Sequence, residues 1–168
     1  GIGEGIAKVF AQSGAKVVVA TRSADNGQQT VDDIIDKGGE ATLIQCDVGH
    51  RAEVERMVAI AAEQWGRIDV GIHNAAVFPI DGVEKITDKV LDQTLSVNMK
   101  AGFWMTQAMV PFFRRQGGGR LIFTSSVTGP RVAMPGTSGY AASKGGMNAF
   151  IRTAALELAR ENVTVNGV

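Results

Sequence analysis

The feature that most constrains this chain is its alternation of short apolar runs with stretches of helical periodicity. Residues 16–20 (KVVVA) are a β-branched run suited to a buried strand. Residues 41–45 (ATLIQ), 68–73 (IDVGIH) and 120–125 (RLIFTS) read as further strands, and residues 163–165 open another. Helical patterns lie between them. Residues 3–13 carry Ile6, Ala7, Val9 and Phe10 on one face, with Gly14 as the cap that closes the helix. Residues 25–37 read as a surface helix stopped by Gly38 and Gly39, and residues 51–65 as an amphipathic helix ending near Gly66. Residues 87–115 hold a long helical pattern that Pro111 is expected to bend or end, and residues 139–161 form another long helix.

Strand–helix alternation of this kind predicts an α/β fold, a doubly wound, Rossmann-like parallel sheet with helices on both faces. Ligands on such a sheet bind at the carboxyl ends of the strands, so functional residues are sought in the loops just after them. The 168 residues read as a single domain, 1–168, with 45% hydrophobic and 20% charged residues. Zero net charge, with no block of like charges, argues against a nucleic-acid partner or a membrane surface. No apolar run approaches the ~20 residues of a membrane helix. Cys46 is the only cysteine, which excludes an internal disulfide and fits a reducing, cytoplasmic setting. The chain opens at Gly1 inside a glycine-rich turn and stops at Val168 inside an apolar run, so it reads as an internal fragment. Gly117, Gly118 and Gly119 read as a helix-to-strand connection rather than a binding loop.

Several residues after predicted strands could hold a dinucleotide. Gly1, Ile2 and Gly3 precede a helix, where glycines let the backbone approach a pyrophosphate and the helix N-terminus offers unpaired N–H groups. By themselves they fit a plain turn equally well, since Ile6 stands where a G-x-G-x-x-G pattern needs a small residue. After the KVVVA run, Thr21 occupies the place of the acid that reads an unphosphorylated ribose, and Arg22 either pairs with a 2′-phosphate or is a solvated loop arginine. That pair favours NADP(H) over NAD(H). Asp47, in Cys46-Asp47-Val48, either accepts from an adenine amino group or caps a turn. Cys46 reads as a small buried residue. His73-Asn74-Ala75-Ala76 closes the IDVGIH run, with small residues that let backbone lie against a cofactor. Asn74 either braces neighbouring strands or contacts the adenosine ribose. No second ligand is spaced to make His73 a metal site, and His50 reads as a surface residue.

The strongest constellation is Ser126 with Tyr140-Ala141-Ala142-Ser143-Lys144. Positions i and i+4 share a helix face, so the lysine ammonium sits one turn from the tyrosine. A nearby cation favours the phenolate, which suits the tyrosine to acid–base work near neutral pH. Ser126 is expected to end the RLIFTS strand at the ligand-binding edge. Asn98 lies among apolar neighbours inside the 87–115 pattern, where it is either functional or a satisfied polar contact.

Together these motifs resemble the short-chain dehydrogenase/reductase family over essentially the whole chain, including its 3-oxoacyl-carrier-protein reductases. Gly1-Ile2-Gly3 resembles the end of the family's T-G-x-x-x-G-I-G turn, and Asn74-Ala75-Ala76 resembles its N-N-A-G element, with His73 and Ala76 replacing the usual Asn and Gly. Asn98, Ser126, Tyr140 and Lys144 match its catalytic tetrad, and residues 164–168 resemble the stretch before its P-G motif.

The resemblance implies hydride transfer between a nicotinamide cofactor and a carbonyl or secondary alcohol. Tyr140 is the implied proton donor, Ser126 positions the substrate oxygen, and Asn98 holds a relay water. Lys144 is implied to tune Tyr140 and hold the nicotinamide ribose. The cofactor residues are then Gly1, Ile2, Gly3, Arg22, Asp47, Val48, Asn74, Ala75, Tyr140 and Lys144, with no metal. The implied partners are a small ketone or secondary alcohol and a second copy of the chain, as homodimer or homotetramer, through the helices at 87–115 and 139–161. Two alternatives are a non-catalytic dinucleotide sensor and an inactive fragment that binds cofactor poorly.

Overall fold

β2 and β4 begin directly after a glycine, and β1 and β3 begin within four residues of one. α1 (Ile2–Gln12) is capped by Ser13, and Gly14 takes the left-handed φ of 88° that turns the chain into β1 (Lys16–Thr21). α2 (Ala24–Ile35) starts under Ser23, whose hydroxyl accepts from Asn26 N, and the Gly38-Gly39 turn leads into β2 (Glu40–Gln45). β1 and β2 are parallel, in the register Lys16 to Glu40 through Thr21 to Gln45. The KVVVA run is only half buried, not fully buried as its composition suggests, because β1 has a single strand partner.

α3 (Arg51–Trp65) ends on Gly66 in the left-handed region. β3 (Val70–His73), β4 (Gly119–Phe123) and β5 (Val163–Gly167) form a parallel sheet with β4 in the middle. Both β3 and β4 are shorter than their apolar runs suggest. Between them the 87–115 pattern resolves into α4 (Asp88–Leu95), a π-helical turn (Ser96–Lys100) and α5 (Ala101–Gln116). Pro111 neither ends nor interrupts α5. It lies on the exposed face, as does Gln107, whose carbonyl loses its helical partner and can be hydrated instead. The irregularity falls at the π turn. α6 (Ser138–Leu158) closes through a 3-10 turn (Ala159–Glu161) into β5.

The computed structural model describes residues 1–168, which divide into two compact units, Gly1–Asp47 and Val48–Val168. In the first, Ala11, Val31, Ile34 and Ile44 are buried. In the second, Leu121 and Phe123 of β4 are fully buried with Phe113 of α5, and Met147 and Ile151 of α6 join that core. Gly117 and Gly118 carry positive φ and connect α5 to β4, a structural role. No helix is long and apolar enough to cross a membrane.

Candidate functional site

In the second unit the parallel strands set the site at their carboxyl ends. Thr124 follows β4, and its N–H donates to the His73 carbonyl at the end of β3 (2.9 Å). Its hydroxyl donates to Asn74 Oδ1 (3.0 Å), and its carbonyl accepts from Lys144 Nζ (2.6 Å). One residue thus fixes Asn74, the end of β3 and the lysine. Lys144 is 2% exposed, and burial pushes its ammonium below the ordinary lysine range. Its Nζ lies 5.8 Å from the Tyr140 ring centroid, so the i, i+4 spacing does bring the two together on α6. Tyr140 is partly exposed and packs edge-to-face with Phe78 at 4.5 Å.

Ser126 does not end a strand. β4 closes at Phe123, so Ser126 lies in the loop beyond it. Its Oγ accepts the Thr128 N–H (3.0 Å), which leaves the hydroxyl hydrogen available. The neighbouring Ser125 is committed elsewhere, because its Oγ accepts from Asn148 Nδ2 (2.6 Å).

Asn98 sits in the π turn, fully buried. Its Oδ1 accepts from Val77 N (2.8 Å), and its Nδ2 donates to Val77 O (2.9 Å) and to Ser143 Oγ (3.0 Å). Ser143 in turn donates to the Tyr140 carbonyl (2.7 Å). The extra residue of the π turn rotates Asn98 inward, where it clamps the loop after β3 to the helix carrying Tyr140.

His73 is 6% exposed, and its Nε2 has no hydrogen-bond partner. Burial, with the nearby Lys144 charge, lowers its pKa to about 4, against the opposing pull of the Val97 and Asn98 backbone.

The remaining predicted cofactor residues are placed as follows. Val48, at the start of this unit, is partly exposed, and Ala75 is exposed. In the first unit, Gly1 precedes α1 and Gly3 lies in its first turn. The first intrahelical bond is Gly5 N to Gly1 O (3.1 Å), so the N–H groups of Ile2, Gly3 and Glu4 have no helical acceptor. Arg22 follows β1, exposed, and its guanidinium makes no bond within the unit. Asp47 follows β2, half buried, and His50 rather than Asp47 takes the cap position of α3. Since β1 and β2 are parallel and α1 runs into the start of β1, these groups share one end of the unit. Gly1 and Gly5 have open space where a Cβ would stand, so no neighbouring side chain covers the N-terminus of α1 there.

Thr124, Ser143, Asn148 and Phe78 are site residues that the sequence reading missed. Ser143 and Asn148 carried a signal, three and eight positions after Tyr140 on the helix. Thr124 holds the lysine through its main-chain carbonyl, which any residue could supply, and so carried none.

The short chain dehydrogenase family profile matches residues 1–168, and the chain belongs to that family. It is 40% identical over 167 residues to Dehydrogenase/reductase SDR family member 4 of Homo sapiens, covering 99% of this chain and 60% of the relative. It is 34% identical over 168 residues to Oxidoreductase UcpA of Salmonella typhimurium, covering all of this chain and 64% of the relative. Among solved structures, a metagenomic short-chain oxidoreductase in complex with NADP superposes with a TM-score of 0.96 at 29% identity, covering 99% of this chain and 76% of that one. A short chain dehydrogenase from Mycobacterium smegmatis superposes at 0.95 with 31% identity, covering 99% of this chain and 70% of that one. The chain therefore spans about 60–64% of the length of these curated relatives. They carry the family without singling out its 3-oxoacyl-carrier-protein reductases.

Proposed function

We propose that residues 1–168 work as one nucleotide-binding domain of an NADP(H)-dependent oxidoreductase that interconverts a ketone and a secondary alcohol. The observation that carries this reading is Lys144, buried yet cationic by type, held by the Thr124 carbonyl at 2.6 Å and aimed along α6 at Tyr140. A buried lysine is costly to keep unless it serves a reaction or a ligand.

When bound, the nicotinamide supplies the hydride. Tyr140 then donates its phenolic proton to the substrate oxygen as charge grows there. Ser126, whose oxygen already accepts the Thr128 N–H, turns its hydrogen to the same oxygen and orients it. Lys144 stabilises the phenolate left behind, and its two remaining N–H bonds suit ribose hydroxyls. Asn98 has both amide hydrogens committed, so a relay water would meet the second lone pair of Oδ1 or a carbonyl of the π turn.

For the cofactor, the unpaired Arg22 fits a 2′-phosphate, and the NADP complex of the metagenomic relative supports NADP(H) over NAD(H). Gly1, Ile2 and Gly3 would take the pyrophosphate, Asp47 and Val48 the adenine, and Asn74 and Ala75 the path toward the nicotinamide. A homo-oligomer through the two long helical regions is part of the same reading, and Phe103 and Leu156 there are exposed.

The test is ketone-dependent loss of NADPH absorbance by the full-length protein. Turnover with NADPH, and an increase of about 10-fold or more in its KM on Arg22→Ala, is the expected result. Cofactor binding without turnover on any ketone would favour the sensor instead.

A further inference from the structure

Two loop segments lie next to Tyr140, one touching its ring and the other just before its helix, and both segments are apolar. Residues 75–80 (AAVFPI) and 132–136 (VAMPG) carry no charged, hydroxyl or amide side chain. The loops are latched to one another. Asp81 N donates to the Gly136 carbonyl at 2.8 Å, and Asp81 and Thr137 form an isolated parallel bridge. Thr137 is buried, and its hydroxyl donates to the Met134 carbonyl (2.7 Å), which fixes the turn that presents Met134. Gly136 has a φ of +80°, and a Cβ there would stand 3.1 Å from Ile80 Cγ2, so Ile80 is seated against that turn. Phe78 meets Tyr140 edge-to-face at 4.5 Å and 74°. Even so, Phe78 is 46% exposed, Ile80 70% and Met134 46%.

Single exposed apolar side chains are ordinary on any surface. Here three stand on two latched loops, one of which meets the Tyr140 ring through Phe78, with no polar side chain between Phe78 and Ile80 or at the sequence neighbours of Met134. When the substrate oxygen meets the Tyr140 hydroxyl, a carbonyl substituent that lies toward Phe78 packs on this wall. A hydroxylated or charged substituent would give up water there and receive no hydrogen bond in return. An apolar substituent would release water from both surfaces.

We propose that Phe78, with Ile80 and Met134, sets the substrate class of this site, a ketone bearing a bulky apolar or aromatic substituent that packs on Phe78 while its oxygen meets Tyr140. The assignment rests on the reading of Tyr140 as proton donor.

The test compares two methyl ketones, acetophenone and hydroxyacetone, on the full-length protein with NADPH. Wild type should prefer acetophenone by about 100-fold or more in kcat/KM, and Phe78→Ser should reduce that preference at least about 10-fold. Met134→Ser, on the other loop, should reduce it in the same direction, which keeps the test intact if Phe78→Ser fails to fold. A wild-type preference for hydroxyacetone overturns the assignment. So does an equal loss on both ketones in both variants, which would make the loops supports for Tyr140 rather than a substrate wall. Absence of turnover on both ketones overturns the assignment, and absence of turnover across a wider ketone panel overturns the reading beneath it as well.

Discussion

Asn98 and Ser143 are joined by a 3.0 Å hydrogen bond, Nδ2 to Oγ, between two fully buried side chains. Ser143 passes the connection on to the Tyr140 carbonyl, so the π turn is tied to the first turn of α6. Ser143→Ala leaves one Asn98 amide hydrogen buried and unpaired. We expect a loss of about 1–3 kcal/mol in unfolding free energy, measured by urea denaturation. A loss below about 0.5 kcal/mol would show that water replaces the hydroxyl.

Lys144 separates stability from activity. Lys144→Met keeps the stem volume and removes a buried charge, so the fold should hold within about 1 kcal/mol of wild type. The rate of carbonyl reduction should fall about 100-fold or more. Thermal melts alongside steady-state kinetics read both. A large drop in melting temperature with little loss of rate would make the lysine structural.

His73 should give the fold an acid-sensitive component. Its ring binds a proton less readily folded, at about 4, than unfolded, at 6.5. The unfolded chain therefore holds more protons between those values, and stability rises with pH across that window and is lost as pH falls through it. The shift corresponds to about 3 kcal/mol at most. His73→Asn should flatten the difference between stability at pH 6.5 and pH 4 relative to wild type. Parallel pH profiles for the two proteins would contradict the assignment.

Two glycines on either side of the site should respond oppositely to alanine. Gly129 has a φ of +100°, and a Cβ there runs into the Ala141 carbonyl oxygen of α6. Gly129→Ala should destabilise by at least about 2 kcal/mol. Gly145 lies inside α6 with open space where its Cβ would stand, so Gly145→Ala should stabilise by about 0.5–1 kcal/mol. Denaturant midpoints of the two variants decide it, and equal shifts would contradict the local geometry.

What the sequence made legible was set by local signals. α3 runs from Arg51 to Trp65 as its periodicity predicts, because Gly66 stops it in a conformation glycine favours. The Tyr140–Lys144 relation follows from helix geometry alone. The π turn at Ser96–Lys100 was not legible, since one inserted residue leaves the apolar pattern around it intact. Pro111 misled for the opposite reason. Its local rule is strong, but exposure at Gln107 lets water satisfy the carbonyl it orphans. Thr124 and Ser125 read as strand by residue type, yet β4 ends at Phe123, where β3 also ends at His73 and pairing stops. The lysine's partner was hidden because it is a main-chain carbonyl, which any residue could supply.

The central claim is that the Tyr140 hydroxyl moves the proton. Tyr140→Phe removes that oxygen and keeps the ring that meets Phe78 at 4.5 Å. In the full-length protein, the measurement is single-turnover ketone reduction by bound NADPH, with NADPH affinity determined in parallel. The predicted result is a fall in rate of about 100- to 10,000-fold with affinity nearly unchanged. A Tyr140→Phe enzyme that reduces the ketone at the wild-type rate would contradict the account.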